Sequence, residues 1–191
     1  MMESHDETHP KRPTTTEHKM TRPKSDLDAL RIDLHAAYDG DPWHGPSIKS
    51  ALDGINAEAA AQRPIPGAHN IWELVLHMAA WTREVASRVR GADAKNPPED
   101  WPAAKFGGGE SAWKAARDDL AAAQKELEQA VDALKPDDLL RWVGDQRDPS
   151  LGTGLPVGTV IRGILQHHAY HEGQISLLKR AVKSGPQRRK A

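Results

Sequence analysis

The sequence predicts an all-α protein, a four-helix bundle with long crossover connections. Apolar residues repeat at helical spacing in four long segments. No segment alternates apolar and polar residues as a half-buried strand does. Two long connections rich in Pro, Gly and polar residues, 92–109 and 137–155, separate the later helices. Connections of this length inside a compact domain often cover a functional site.

The first helices are a long one followed by a short one. A helix over 25–38 is predicted by the helical spacing of its leucines and by Ser25, a suitable N-cap residue. Gly40 and Pro42 end this helix. A short helix is expected over 46–55, with its isoleucines and leucine on one side.

The second long helix is predicted over 71–90. Asn70 and Glu73 match a capping box, in which each side chain accepts from the other residue's backbone N–H. Gly91 suits the position just after the last turn. His77 belongs to the apolar stripe of this helix.

The third and fourth long helices are predicted over 110–134 and 156–183. Both segments carry an apolar residue every three to four positions. Pro136 ends the first, and the Gly-Pro pair at 185–186 ends the second.

Composition excludes several classes of function. The chain has 191 residues, and its 26 Lys and Arg nearly balance 27 Asp and Glu. A net charge of −1 gives no reason to expect nucleic acid or an anionic membrane as a partner. The chain has no cysteine, so disulfides, thiolate ligands and a cysteine nucleophile are excluded. No apolar run approaches the roughly 20 residues of a spanning helix, so we expect a soluble cytoplasmic protein.

The domain organisation is simple. Residues 1–24 are polar, with almost no large apolar side chains, and are expected to be a disordered tail. Residues 25–184 are expected to form the helical bundle. Residues 185–191 are expected to form a short, basic, solvated tail.

Three histidines are the candidate metal ligands. His167 and His171 are four residues apart on the fourth long helix, so both imidazoles lie on one face. They face the predicted core, as His77 does from the second long helix, and a buried imidazole needs partners for its nitrogens. Three such nitrogens from facing helices form a metal site with an open coordination position, which reactive metals require. The alternative is three separate core histidines, each bonded to a carbonyl or a tyrosine.

Neighbouring polar residues on the fourth helix are given supporting or unrelated roles. His168 is rotated about 100° from His167 around the helix, so it is assigned to the bundle seam or to a rim. Gln174 lies about one turn beyond His171 and either supports this ligand or caps the pocket wall. Glu172 is predicted to point away from the site into solvent.

Other candidates are weaker. Glu73 fits the capping box and the orientation of His77 equally well. His44 is a weak candidate for a general base, and a turn-forming role fits it better. Trp81, one turn from His77, can face the metal cavity. The other tryptophans considered could line an aromatic ligand pocket, but in a chain with one Phe and two Tyr they are expected instead to fill the core and cover its ends; they are Trp72, Trp101, Trp113 and Trp142.

Three segments resemble the DinB-like superfamily. QHHAYHEGQI over 166–175 resembles its metal-binding helix, HNIWELVLHMAAW over 69–81 resembles the segment with its first ligand, and DPWHGPSIKSAL over 41–52 resembles its N-terminal portion. The metal-binding helix has a pattern close to H-x3-H-x-G-Q-I, met here by His167, His171, Gly173, Gln174 and Ile175. The resemblance covers about residues 25–183. Each motif is loose alone, and together they are specific.

This resemblance implies a four-helix bundle, often dimeric, in which His77, His167 and His171 bind a divalent metal ion. Zinc, nickel and iron all accept imidazole ligands. Relatives include transferases that use low-molecular-weight thiols, a thiol-dependent isomerase, and proteins described only as metal-dependent hydrolases. Tyr170 occupies a position where many relatives have another histidine, so substrate choice is expected to differ if that position matters.

The expected function is that of a metal-dependent enzyme, a thiol transferase or a hydrolase. The metal ion would activate a water molecule or a low-molecular-weight thiol to attack a small-molecule substrate. The absence of cysteine fits an external thiol and fits water equally. The alternative is a non-catalytic, metal-dependent ligand-binding or stress-response protein. A homodimer is expected by family analogy.

Overall fold

The computed structural model describes residues 22–145 and 154–184. The predicted N-terminal tail lies outside this part of the chain except for residues 22–24, and the predicted C-terminal tail lies wholly outside it. No helix among the described residues has the length and apolar character needed to cross a membrane.

The predicted all-α class is confirmed. Four long helices form a bundle in which α4 packs against both α5 and α6, and α1 packs against α5 and α6. The α-helices of the described residues are α1 (Asp26–Asp39), α2 (Ile48–Leu52), α3 (Ala57–Ala61), α4 (Ile71–Val89), α5 (Gly109–Asp132) and α6 (Val157–Ser184). Short 3₁₀ turns lie at Phe106–Gly108 and Pro136–Leu140.

Local capping chemistry sets the boundaries of the helices. Ser25 caps α1 by accepting from the backbone N–H of Asp28 at 3.1 Å, as predicted. The capping box of α4 is also confirmed: Asn70 Oδ1 accepts from Glu73 N at 2.9 Å, and Glu73 Oε2 accepts from Asn70 N at 3.1 Å. Gly91 follows α4 with a φ of 111°, a backbone conformation that favours glycine.

Two short features differ from the predictions. The helix predicted over 46–55 is only α2, because Ser47 caps it and the helix ends at Leu52. A separate helix α3 follows, capped by Asn56. An antiparallel ladder joins β1 (Trp142–Val143) to β2 (Leu155–Pro156). Two-residue strands are too short to show an alternating pattern, so periodicity did not predict them.

The core consists of two apolar clusters, and His167 and His171 lie between them along α6. One cluster contains Trp72 and Trp113, which are fully buried and pack with ring centroids 5.3 Å apart. The other cluster includes Ile164 on α6, whereas Ile175 on the same helix belongs to the first cluster. The stretch of α6 between these two isoleucines carries His167 and His171, two of the three predicted metal ligands, whereas His77 lies on α4.

Candidate metal centre

The three predicted ligands lie together. His77 comes from α4, and His167 and His171 come from α6. The Nε2 atom of His167 is 3.0 Å from Nε2 of His77 and 3.1 Å from Nε2 of His171. One ligand atom from each residue lies within 4.8 Å of the others, so the three histidines can hold a single metal ion.

Hydrogen bonds behind the cluster fix the tautomers of its two outer histidines. His77 Nδ1 lies 2.7 Å from the backbone oxygen of Asp100, and His171 Nδ1 lies 2.7 Å from Oε1 of Gln174. Both oxygens are acceptors, so each Nδ1 carries the proton and donates it. In the neutral rings, each Nε2 therefore presents a lone pair towards the centre. Metal-bound histidines are commonly held in this way.

His167 completes a donor set that hydrogen bonds alone do not satisfy. Its Nδ1 is buried and has no hydrogen-bond partner among the described residues. A proton on its Nε2 can be donated to the Nε2 of either His77 or His171, but not to both. The other close pair of Nε2 atoms then has no hydrogen between its two nitrogens. Burial, with His171, His168 and His77 adding to it, lowers the pKa of His167 to about 3. The ring is therefore neutral at ordinary pH, and a cation at the centre satisfies all three Nε2 atoms.

The spacing of the nitrogens agrees with this conclusion. Two nitrogens bound to one zinc ion at tetrahedral angles are about 3.3 Å apart. The separations of 3.0 and 3.1 Å differ from that value by only about 0.2–0.3 Å. These two separations are therefore close to those that a shared zinc ion requires.

The connection between α4 and α5 covers one side of the cluster. Asp100 Oδ1 accepts from Nε1 of Trp81 at 2.6 Å and lies 3.3 Å from Nδ1 of His77. Trp101 stacks on His77 with ring centroids 3.9 Å apart and on His69 with centroids 3.5 Å apart. The prediction that Trp101 belongs to the core or covers its ends was wrong, because this ring lies against a candidate ligand. Sequence reasoning did not single out Asp100; the only signal was its place in a long connection.

The structure shows which of two acidic residues, Glu73 and Asp100, lies beside His77. Glu73 serves the capping box and also contacts Arg63 and His69; the carboxylate beside His77 is that of Asp100. Burial raises the pKa of Glu73, but the Asn70 backbone donor, His69 and Arg63 outweigh burial and lower it overall.

The prediction that Glu172 points into solvent was wrong. Its side chain is buried, and its Oε1 accepts from the Ser176 hydroxyl at 2.7 Å. The chain leading into α2 lies beside it, since a Cβ atom added at Gly45 would lie 4.0 Å from Glu172 Oε2. The segment before α2 therefore covers a face of α6 that the sequence of α6 predicted to be exposed to solvent.

His168 lies in the bundle seam, as predicted, and outside the cluster of three nitrogens. The Thr82 hydroxyl donates to the backbone oxygen of Met78 at 2.7 Å. It therefore accepts from Nε2 of His168 at 3.0 Å. Burial, with His171 adding to it, lowers the pKa of His168 to about 4.

Of the remaining predicted residues, Trp81 lies near the cluster, whereas His44 and Trp142 are exposed. Trp81 faces the cluster, with its ring centroid 6.4 Å from those of both His77 and His167. His44 is exposed before α2 and is not a member of the cluster. Trp142 is exposed, so it does not cover a core end as expected.

A cavity of about 390 Å³ lies beside the cluster. His171 belongs to both, so the cavity reaches the candidate metal centre. Its polar lining includes His69 and Gln174. Its apolar lining includes Ile65, Leu74, Trp101, Leu177 and Leu178. A mostly apolar cavity with a few converging polar groups is the usual form of a small-molecule site.

Comparison with known proteins shows the family. A model of the DinB superfamily matches residues 46–175, about two thirds of the chain. This match contains all three clustered histidines, and the chain belongs to the DinB superfamily. No curated protein and no solved structure matches the chain.

Proposed function

We propose that this protein is a metal-dependent enzyme in which His77, His167 and His171 bind one divalent ion, either zinc, nickel or iron. The ion would activate a water molecule or a low-molecular-weight thiol for attack on a small molecule, giving a hydrolase or a thiol transferase. One observation carries this proposal: three Nε2 atoms converge, and hydrogen bonds behind two of them turn their lone pairs to the centre.

The residues around the site have separate tasks in this proposal. A bound metal ion lowers the pKa of the water or thiol it holds. Asp100 and Gln174 hold protons at the Nδ1 atoms of their histidines and keep each Nε2 free. Trp101 stacks on His77 and shields that ring from water. The cavity beside His171 provides space for a substrate.

A second candidate is a non-catalytic, metal-dependent ligand-binding or stress-response protein. One observation favours it: none of the described residues that line the cavity is Asp, Glu or Lys. A general base or acid of those types is therefore not in place within the cavity; the Asp100 carboxylate lies behind His77, at its Nδ1, and accepts from Trp81. A homodimer is part of both proposals by family analogy, and a cytoplasmic location is part of both because the composition of the sequence led us to expect it.

Metal content per chain tests the shared basis of both proposals. Wild-type protein without a histidine tag is stripped, reloaded with each ion separately, and compared with His171→Ala and with His35→Ala. His35 is a suitable control because it is exposed on α1 and is not a member of the cluster. We expect one bound ion per chain in wild type and His35→Ala, and its loss in His171→Ala. Metal near zero in all three proteins would contradict the metal site.

Activity then separates the two proposals. Metal-loaded protein is assayed with ester and amide panels, and with electrophiles in the presence of low-molecular-weight thiols. Turnover that His171→Ala lacks and His35→Ala keeps supports the enzyme. One bound ion without turnover in either panel supports the non-catalytic protein.

A further inference from the structure

We propose that the cavity beside His171 binds an uncharged, apolar part of the substrate, such as an aromatic ring or a branched hydrocarbon chain. The reacting group would then lie at the His171 end. The position of that reacting group rests on the proposed function. Binding of the apolar part does not, and can be measured without turnover.

The walls of the cavity are apolar and come from separate parts of the fold. Leu74 on α4 and Leu178 on α6 belong to the buried core, so they give the cavity a fixed floor. Trp101, Ile65 and Leu177 line it from two connections and from α6. These three side chains are 36%, 37% and 58% exposed, so part of the apolar lining is open to solvent. Adjacent exposed apolar groups of this kind often mark a binding site.

The lack of charged side chains among the described lining residues of the cavity favours a neutral ligand. None of the described lining residues is Asp, Glu, Lys or Arg. Arg63 reaches the wall, but Nη1 donates to the backbone oxygen of Ala68 at 2.8 Å and Nη2 pairs with Glu73. Its charge is therefore used within the protein. Away from the His171 end, a charged group placed against these walls would lose water without gaining an opposite charge, which is costly.

Size and position define how the occupant would lie. A volume of about 390 Å³ is at the small end of the range of ligand pockets and suits one or two rings. His69, His171 and Gln174 are polar lining residues, and His171 is also a member of the nitrogen cluster. An apolar group held against the leucines therefore leaves a polar reacting group beside the candidate metal centre.

A matched pair of fluorescent probes tests this inference. N-phenyl-1-naphthylamine is neutral, and 8-anilinonaphthalene-1-sulfonate has the same rings with an added sulfonate. Both are titrated against the full chain at slightly alkaline pH, with the metal content of each sample recorded. We expect saturable binding of the neutral probe, at least about tenfold tighter than binding of the sulfonate. A tenfold ratio corresponds to about 1.4 kcal/mol.

Two variants locate the bound probe. Leu177→Asp places a carboxylate at an exposed position on the wall, and we expect it to weaken binding of the neutral probe about tenfold. Leu140→Asp makes the same change at an exposed leucine outside the cavity and should leave binding unchanged. Folding of both variants is checked by circular dichroism.

Several results would overturn the inference. These are equal or tighter binding of the sulfonate, no saturable binding of either probe, and unchanged binding in Leu177→Asp. A dimer that Leu177→Asp dissociates, without binding of the neutral probe, would instead make the apolar rim an interface between two copies. Expected probe binding without bound metal would retain the apolar cavity while refuting the proposed metal-dependent function.

Discussion

Metal binding should raise the thermal stability of this protein by an amount that can be worked out in advance. The three nitrogens come from α4 and α6, so the unfolded chain holds no preformed site. A ligand that binds only the folded state stabilises it by about 2.7 kcal/mol at a free concentration 100 times its Kd. For a chain of 191 residues, each kcal/mol raises Tm by about 2–4 °C. The expected increase is therefore about 5–11 °C.

The assay is a thermal melt of chelator-treated protein with and without zinc, nickel or iron(II), the last under anaerobic conditions. His171→Ala removes one of the three nitrogens and should lose most of the increase, whereas His35→Ala should keep it. A similar increase in His171→Ala would show that the ion binds elsewhere, for example to other histidines among the 10 in the chain. No increase with any of the three ions would refute the argument from converging lone pairs.

Three further predictions follow from single contacts. Asp100→Ala keeps the backbone oxygen that accepts from His77 but loses the carboxylate contacts with Trp81 and His77, so it should weaken metal binding only about tenfold in a competition titration with a chelator. Asp100→Asn should restore most of this loss, because it keeps the oxygen that accepts from Trp81; equal affinities in both variants would contradict this role. Asn70→Ala should lower the free energy of unfolding by about 1–2 kcal/mol in urea, and an unchanged midpoint would argue against the capping box. Burial, with nearby carboxylates adding to it, raises the pKa of Tyr38 from 10.0 to about 12. The folded state thus keeps a proton that the unfolded state releases, and stability should fall as pH rises through this interval. Tyr38→Phe should lose that decline and Tyr170→Phe should keep it, as measured by urea unfolding at each pH.

The long helices and the three histidines were predictable because their signals are local. The capping box at Asn70 is encoded within four residues, and the pair His167 and His171 falls on one face by helical geometry alone. The inward position of His77 follows from the apolar residues around it on the same helix. Each of these predictions needed only the sequence of one element.

Features that depend on contacts between elements were not predictable in this way. Glu172 looked solvent-facing from the pattern of α6, but the chain beside Gly45 covers it. Trp101 looked like a core or end-covering residue, but it stacks between His69 and His77. Neither contact has a local pattern, because both partners are brought together only when the connections pack on the bundle.

The two outer histidines also differ in which part of the fold orients them. Gln174 lies on α6 with His171, three residues further along, so this ring is positioned within its own helix. His77 is positioned by the backbone oxygen of Asp100 in the connection after α4. Every residue type offers that oxygen, so the sequence contains no signal for this contact. The centre is therefore complete only when the connection packs against α4, which makes that connection part of the metal centre.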